Sequence, residues 1–494
     1  VLASPIVHPP TVDQARRHPS ITIAVLALGV LAYTLSQTTV APALPHIQHA
    51  LGISASSVTW TLSAYLVSAS VMTPIVGRLG DMFGKKRLLV VTLVAFAAGS
   101  ALCAVAGSIG VLIAGRVIQG AAGGLFPLAF AILRDELPGE KVAASIGLVS
   151  SITGIGGGAG LVLGGVIVDN ASWHWIFWVA LAMTLIALVA TYALVPESPV
   201  TTPGRVDWGG AALLGAGLSG PLIGVSESTT WGWGDARTLG LIALGIPLLA
   251  ALVAFERRRP QPLLDMVTLA RRPVLATNAA TVLIGFAMFG SFVLIPQIAQ
   301  LPGSTGYGLG DTATVAGLLL LPSTAVMLIA APLSGRIGAA RGSRGPLVVG
   351  TLITASALGL LAVAHRTPLE LIAAAALMGG GIGLAFAAMP NLIIEAVRRE
   401  QTGEATAVNA LVRNVGGALG AQISGTILAG SVLARTGLPA ESGFATAFGV
   451  SAGVALLGAG LALLVPRRGA AAADPSTASV TLAAESDPAK ALTS

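Results

Sequence analysis

Three residues in this chain have types and positions that could do chemistry. Asp81 lies in the connector GRLGDMFGKKR (77–87), one acid among four cations and three glycines, while Arg116 and Arg413 lie inside long apolar runs. A carboxylate in such a connector can exchange partners between an ion pair and a helix terminus. An arginine inside an apolar run is costly in lipid, so it is expected to face protein or water and to serve function. No catalytic or metal-binding set assembles around them. The six histidines are scattered, and only His46 and His49 are close, in an expected outer loop where solvated packing is the plain reading. The chain carries no phosphate-binding GxxxxGK[ST] loop, which excludes ATP as a direct energy source. Its one cysteine, Cys103, sits in an apolar run and reads as a buried thiol, without an internal disulfide. We expect no enzyme activity, no cofactor and no metal.

The elements that must position these residues follow from composition. Of 494 residues 54% are hydrophobic and 10% charged, and the mean hydropathy is +0.85. A soluble core does not need that much apolar surface, whereas a bilayer core is crossed by about 20 apolar residues per helix. Such runs recur at 21–45, 57–76, 88–107, 110–132, 143–168, 174–195, 208–225, 238–255, 274–297, 313–333, 346–364, 369–391, 404–430 and 443–465, which predicts an all-α polytopic membrane protein with fourteen spans. Residues 1–20 read as a polar N-terminal segment and 466–494 as a disordered tail. The first apolar run lacks a small-residue cleavage pattern and is expected to be retained.

Charge sets the orientation. Arg16, Arg17, the 77–87 connector, Arg205, Arg257, Arg258, Arg259, Arg341, Arg344, Arg398 and Arg399 fall on one side, against Arg237, Arg366 and Arg435 on the other. Lys and Arg collect on the cytoplasmic side, so both termini are expected there, in the cell inner (plasma) membrane. The net charge of +6 reflects these loops facing an anionic leaflet rather than nucleic acid. The chain also repeats: GRLG at 77 returns as GRIG at 335, and GGA at 157 returns at 416. That register pairs a six-helix half at 21–195 with a second at 274–465 and leaves the helices within 208–255 as an inserted pair.

The connector matches G-x-L-x-D-x-x-G-[RK]-[RK] through Gly77, Leu79, Asp81, Gly84, Lys85 and Lys86, with Arg87 following. In this it resembles the major facilitator superfamily. LIAGRVIQGAAGG matches L-x-x-x-R-x-x-Q-G of the same family through Leu112, Arg116, Gln119 and Gly120. Gly147, Gly156, Gly160, Gly164 and Gly165 keep the glycine spacing of its antiporter signature, with Leu161 where a proline is usual. LSQTTVAPALP (35–45) is similar to the first-helix pattern of the fourteen-helix drug:proton antiporter branch, but it has Ser36 in place of the acid and Ala41 in place of the Asn.

The resemblance implies a major facilitator fold of two six-helix halves plus two inserted helices. It implies a secondary-active exporter of hydrophobic or amphiphilic small molecules, a drug or antibiotic efflux protein that works by alternating access, with protons as coupling ions and no nucleic-acid partner, as a monomer in the bilayer. Gly77, Asp81, Gly84, Lys85, Lys86 and Arg87 would form a conformational latch in which Asp81 meets the start of the helix near Glu404. Ala339 replaces the acid in the second copy. Gly147, Gly156, Gly160, Gly164 and Gly165 would let helices rock, Arg116, Gln119, Asn409 and Arg413 would serve coupling or the cavity, and Gln37, Trp60, Tyr65 and Asn278 would line the substrate path. No Asp or Glu lies in the middle of any predicted span, so the cavity is expected to be neutral to positive. A nutrient facilitator or importer is the alternative within transport, and a polytopic membrane enzyme the alternative outside it.

The charge distribution yields a direct test of orientation. A cysteine placed at Thr229 should react with an impermeant thiol reagent added to intact cells, and one placed at Gln261 should not. The reverse pattern would invert the topology.

Overall fold

The computed structural model describes residues 19–137, 139–197, 206–259, 262–397 and 402–466, with side chains left aside at 139–144, 146–148, 150, 151, 153–155, 339 and 402–404. The N-terminal segment up to residue 18, the tail from 467, Gln261 and the side chain of Glu404 lie outside the described residues. The first half consists of α1 (Pro19–Thr38), α2 (Val40–Leu51), α3 (Ala55–Phe83), α4 (Lys85–Ala104), α5 (Ile109–Gln119), α6 (Leu125–Glu136), α7 (Gly139–Asn170) and α8 (His174–Leu194). An antiparallel pair, α9 (Trp208–Trp231) and α10 (Ala236–Glu256), leads through the short α11 (Met266–Leu269) to the second half. That half holds α12 (Arg272–Gln300), α13 (Ala313–Arg341), α14 (Arg344–Val363), α15 (Pro368–Ala396), α16 (Thr402–Gly430) and α17 (Glu441–Leu463).

Among the described residues twelve helical stretches are long and apolar enough to cross a membrane. Helices α7 and α16, with 32 and 29 residues, stand where the fifth and thirteenth spans were expected, but the count of fourteen rests on their length alone. The first expected span is not one helix. It breaks between α1 and α2 at Thr39, three residues before Pro42, whose ring excludes the carbonyl of Thr38 and which has no N–H to give it. The fourth span breaks for the same reason. Pro127 opposes the carbonyl of Gly123, and residues Gly120–Gly124 tighten into a 3-10 turn between α5 and α6.

The expected 77–87 loop is a correction of a different kind. Helix α3 continues to Phe83, so Asp81 sits in its last turn, and α4 starts at Lys85. Only Gly84 leaves the helix, at φ +101°, a conformation that L side chains rarely adopt. The outer loop at 226–237 is likewise shorter than expected, since α9 runs to Trp231 and α10 begins at Ala236. Thr229 lies exposed in the last turns of α9.

The halves meet along two seams, α3 against α16 and α7 against α13, and small residues bring the backbones together. In lipid there is no hydrophobic drive between helices, so close packing and interhelical hydrogen bonds do the joining. A Cβ on Gly165 would overlap the Ala313 carbonyl, and one on Gly158 would meet Thr324 at 2.5 Å. In the second half Gly416 and Gly420 face the carbonyls of Val282 and Phe286, and Gly285 faces that of Arg413.

The inserted pair covers one seam from outside. Helix α9 touches both α3 and α16, Trp60 Nε1 donates to Ser226 Oγ at 2.9 Å, and Thr426 Oγ1 donates to the Val225 carbonyl at 3.3 Å. Its return loop is pinned by Glu256, whose Oε2 accepts the Leu263 and Leu264 amides at 2.7 and 3.4 Å. Both leucines pack in one cluster with Ile75 of α3 and Val408 and Leu411 of α16. Outward-facing Val91, Val94, Ile186, Val189, Ile246, Ile329 and Leu457 form the apolar surface turned to lipid.

The two faces of α7 make a stability prediction. A Cβ on Gly160 would overlap the Thr38 hydroxyl and lie 3.1 Å from the Leu35 carbonyl, whereas one on Gly157 meets nothing within 4 Å. Gly160→Leu should therefore lower the thermal midpoint in detergent by the equivalent of about 1–3 kcal/mol of overpacking. Gly157→Leu should leave it within error. Equal effects would remove Gly160 from a packed interface.

Candidate functional site: an aromatic and cationic seam between the halves

Arg116 is fully enclosed, at 0% exposure, within the first half. Its Nε donates to the Thr61 carbonyl of α3 at 2.6 Å, and its Nη1 to Gln119 Oε1 at 2.8 Å and the Ser36 carbonyl of α1 at 3.3 Å. Gln119 Nε2 passes the chain on to Ser100 Oγ of α4 at 2.7 Å. Close packing makes this possible: a Cβ on Gly99 would lie 2.8 Å from the Gln119 side chain, and Gly120 and Gly123 face α3. The guanidinium lies 4.2 Å above the Tyr65 ring, and Nη2 has no partner. Among the described residues no carboxylate reaches it. Ser36, standing where the resemblance implies an acid, is its neighbour, with Oγ at 3.5 Å from Nη1.

Tyr65 stacks on toward the seam. Its ring is 5.8 Å from Tyr33 of α1, which is 5.8 Å and edge-on to Phe126, itself 5.8 Å from Phe130 of α6. This group is continuous with Phe289, Ala418 and the partly buried Met288 and Phe292 of the second half. Arg413 of α16 completes the wall. Its guanidinium lies 4.9 Å above Phe386 of α15, and its charge acts on Tyr33 from the facing half. It is half-buried and donates no hydrogen bond to any described residue. Asn409, one turn away, is fully committed: its Nδ2 donates to Asn278 Oδ1 and Thr281 Oγ1 of α12, both at 2.8 Å.

The structure thus sorts the residues expected from the sequence. Tyr65 and Arg413 come to the seam, the Asn278–Asn409 pair ties α12 to α16 within the second half, and Gln37 is half-buried at the end of α1. Trp60 is turned to the inserted α9, and Arg116 with Gln119 is enclosed behind Tyr65. Tyr33, Phe126, Phe292 and Phe386 were missed. The signal for Tyr33 was its place one helical turn before Gln37. A concavity of about 440 Å³ near Arg341, Arg344 and Glu395 lies in the second half alone and contains none of these residues.

Three of the connector cations have partners in their own half. Lys85 pairs with Asp135 at 2.5 Å, Arg87 with Glu197 at 3.6 Å on the surface, and Lys86 lies 5.8 Å over the Tyr192 ring. Gly77 faces Pro127 and Gly80 faces Leu128 of α6, while a Cβ on Gly84 would lie 2.7 Å from Glu197 Oε1. Asp81 is half-buried with Lys85, Arg78 and Asp135 as its charged neighbours, and it makes no hydrogen bond or ion pair with a described residue of α16. Gly156, Gly160 and Gly164 pack on α1 and on Thr39, and Gly165 packs on α13. The surroundings of Gly147 lie outside the described residues.

The ends of the halves opposite the 77–87 connector are joined by a residue the sequence did not single out. Asp169, at the end of α7, accepts the Ala313 amide at 2.9 Å and the Thr314 amide at 2.7 Å, at the start of α13. A carboxylate here meets both the free amides of a helix N-terminus and its dipole. Gln300 Nε2 of α12 adds a bond to the Pro42 carbonyl of α2 at 2.9 Å, and Gln422 Nε2 of α16 one to the Ser56 carbonyl at 3.1 Å.

Two halves of apolar helices meeting at a polar, aromatic seam define a membrane transporter architecture. The family model described as Major Facilitator Superfamily matches residues 26–421, and again 279–492, and the chain belongs to that family. It is 30% identical over 433 residues to a tetracenomycin C resistance and export protein of Streptomyces glaucescens, covering 87% of this chain and 79% of the relative. It is 28% identical over 408 residues to multidrug resistance protein 3 of Bacillus subtilis, covering 81% and 78%. Among solved structures it resembles a peptide transporter POT in complex with sulfate (TM-score 0.66, 14% identity, 91% and 96% covered) and the human organic anion transporter MFSD10 (0.60, 18%, 92% and 100%).

Removing Arg116 tests the enclosed network. Arg116→Leu leaves Gln119 Oε1 without a donor and removes the second bond to the Thr61 carbonyl, at about 1–3 kcal/mol for the buried group left unsatisfied. A clear drop in the thermal midpoint of the purified protein is expected. An unchanged midpoint would show that the network contributes nothing to stability.

Proposed function

We propose that this protein is a secondary-active exporter of hydrophobic or amphiphilic small molecules, of the drug or antibiotic kind, working by alternating access and driven by protons. The relatives named for resistance and export supply the direction of transport. The observation that carries the mechanism is the unequal state of two carboxylates on the first half. Asp169 is bound to the α13 start at the outer face, while Asp81 at the inner face makes no hydrogen bond or ion pair with a described residue of the second half. In the proposed cycle the outer contact breaks when Asp81 reaches the start of α16, so that one seal opens as the other closes. The glycine contacts of α7 with α1 and α13 support a seam that can rock without voids opening. The protein is further proposed to act as a monomer of fourteen spans, organised as 21–195, 208–255 and 274–465, in the inner membrane with both termini cytoplasmic. No covalent step enters this cycle, which sets the membrane-enzyme reading aside.

Each carboxylate contact with a helix N-terminus contributes about 0.3–2 kcal/mol, a population shift of about 2- to 30-fold. Asp169→Asn should therefore widen the outer distance between spin labels at Asn170 and Leu318 in a larger share of molecules, and Asp81→Asn should favour the closed outer face. Unchanged distributions in both variants would refute the exchange of seals. Efflux from proteoliposomes that follows an imposed pH difference is the expected result for the coupling. Efflux indifferent to that difference would make the protein a facilitator.

A further inference from the structure

We infer that Arg413 with Phe386 forms an anion-reading subsite, so that the preferred cargo is an aromatic molecule carrying a carboxylate or another acidic oxygen. This rests on the exporter reading above and names the substrate class of the same seam. A guanidinium has five N–H donors and stays charged in any protein environment. In Arg413 one face of that group is taken by the Phe386 ring at 4.9 Å, and none of its donors meets an acceptor on a described residue. The acids of the described helices, Asp81, Asp135, Glu136, Asp169, Glu227, Glu256, Glu370, Glu395 and Glu441, all lie in terminal turns. None can act as counter-ion to a group halfway along α16.

Arg116 shares the ring contact and the lack of a carboxylate but differs in its enclosure. Its exposure is 0%, its Nε and Nη1 are taken by carbonyls and Gln119, its Nη2 is buried without a partner, and Tyr65 covers one face. It is a structural cation, and Arg413 is the available one. The backbone of Arg413 packs closely on Gly285, which sets where its side chain leaves α16, and the guanidinium lies against the Phe386 ring. Around it the seam offers Tyr33, Phe126, Phe292 and Phe386, half-buried or buried ring surfaces suited to a flat apolar body. The arrangement therefore reads two features of one ligand: a ring system against the phenylalanines and an anionic oxygen against the free donors. A permanently cationic ligand meets the same rings but an opposing charge.

The test uses purified full-length protein in proteoliposomes and three probes on one anthracene scaffold, bearing a carboxylate, a primary carboxamide or a trimethylammonium group. The unmodified protein should export the acid and the amide ahead of the cation. In Arg413→Gln the acid-to-amide ratio of export rates should fall by about 10- to 100-fold, the range of a charge-assisted hydrogen bond. In Arg413→Lys, which keeps the charge without the planar fork, it should fall less. Phe386→Glu supplies a counter-ion while Arg413 stays in place, so it should lower the same ratio and admit the cation. Direct binding of the fluorescent acid to detergent-solubilised protein should weaken in parallel. An acid-to-amide ratio unchanged in both Arg413→Gln and Phe386→Glu, or a quaternary cation exported best by the unmodified protein, would overturn the subsite while leaving the exporter reading standing. Export of none of the three probes by the unmodified protein would overturn both.

Discussion

A charge placed in hydrocarbon has to find its partners inside the protein, and this constraint organises the first half. Arg116 draws together four helices through the Thr61 and Ser36 carbonyls, Gln119 and, beyond it, Ser100. The glycines at 99, 115, 120 and 123 are the complement of that network, because they bring α4 and α3 close enough to α5 for the bonds to form. With Arg116 satisfied from behind, Tyr65 is held against it and presents Tyr33 to the seam. The second half has no such network around its own arginine. Arg413 lies against the Phe386 ring instead, and donates no hydrogen bond to any described residue.

The outer seal follows the same electrostatic logic on a smaller scale. A helix N-terminus leaves amides without partners, and a carboxylate from the other half satisfies two of them at once. Such a contact is stable where it stands and short in range, so a few ångströms of separation remove it entirely. It suits a seam that must alternate. Lys85 and Arg87, by contrast, pair within the first half, linking the start of α4 to α6 and to the segment after α8.

What could be read from the sequence was what periodicity and charge encode. The helical runs and the arginines within them were visible as patterns of residue type. The breaks at Thr39 and at Gly120–Gly124 were not foreseen, although Pro42 and Pro127 stand three or four residues beyond them, because an apolar run reads the same whether its helix is straight or kinked. Asp169 was passed over as an acid at a helix end. Its partner amides lie some 144 residues further along the chain, and backbone donors leave no trace in residue types. Trp60 was read as lining the path because an aromatic at that depth has two possible neighbours, and only the position of α9 decides between them.

The inserted pair makes the two seams unequal toward the lipid. Helix α9 lies across α3 and α16 along their outer face, tied to both by Ser226 and Val225, and its return loop fills the inner end of the same seam with Leu263 and Leu264. Among the described residues no helix lies over the opposite seam, α7 against α13, which is closed instead by the direct approach of Gly158 and Gly165 to α13. The two seams are thus sealed by different means, one by a covering helix and one by glycine contacts, and the molecule has a front and a back toward the bilayer.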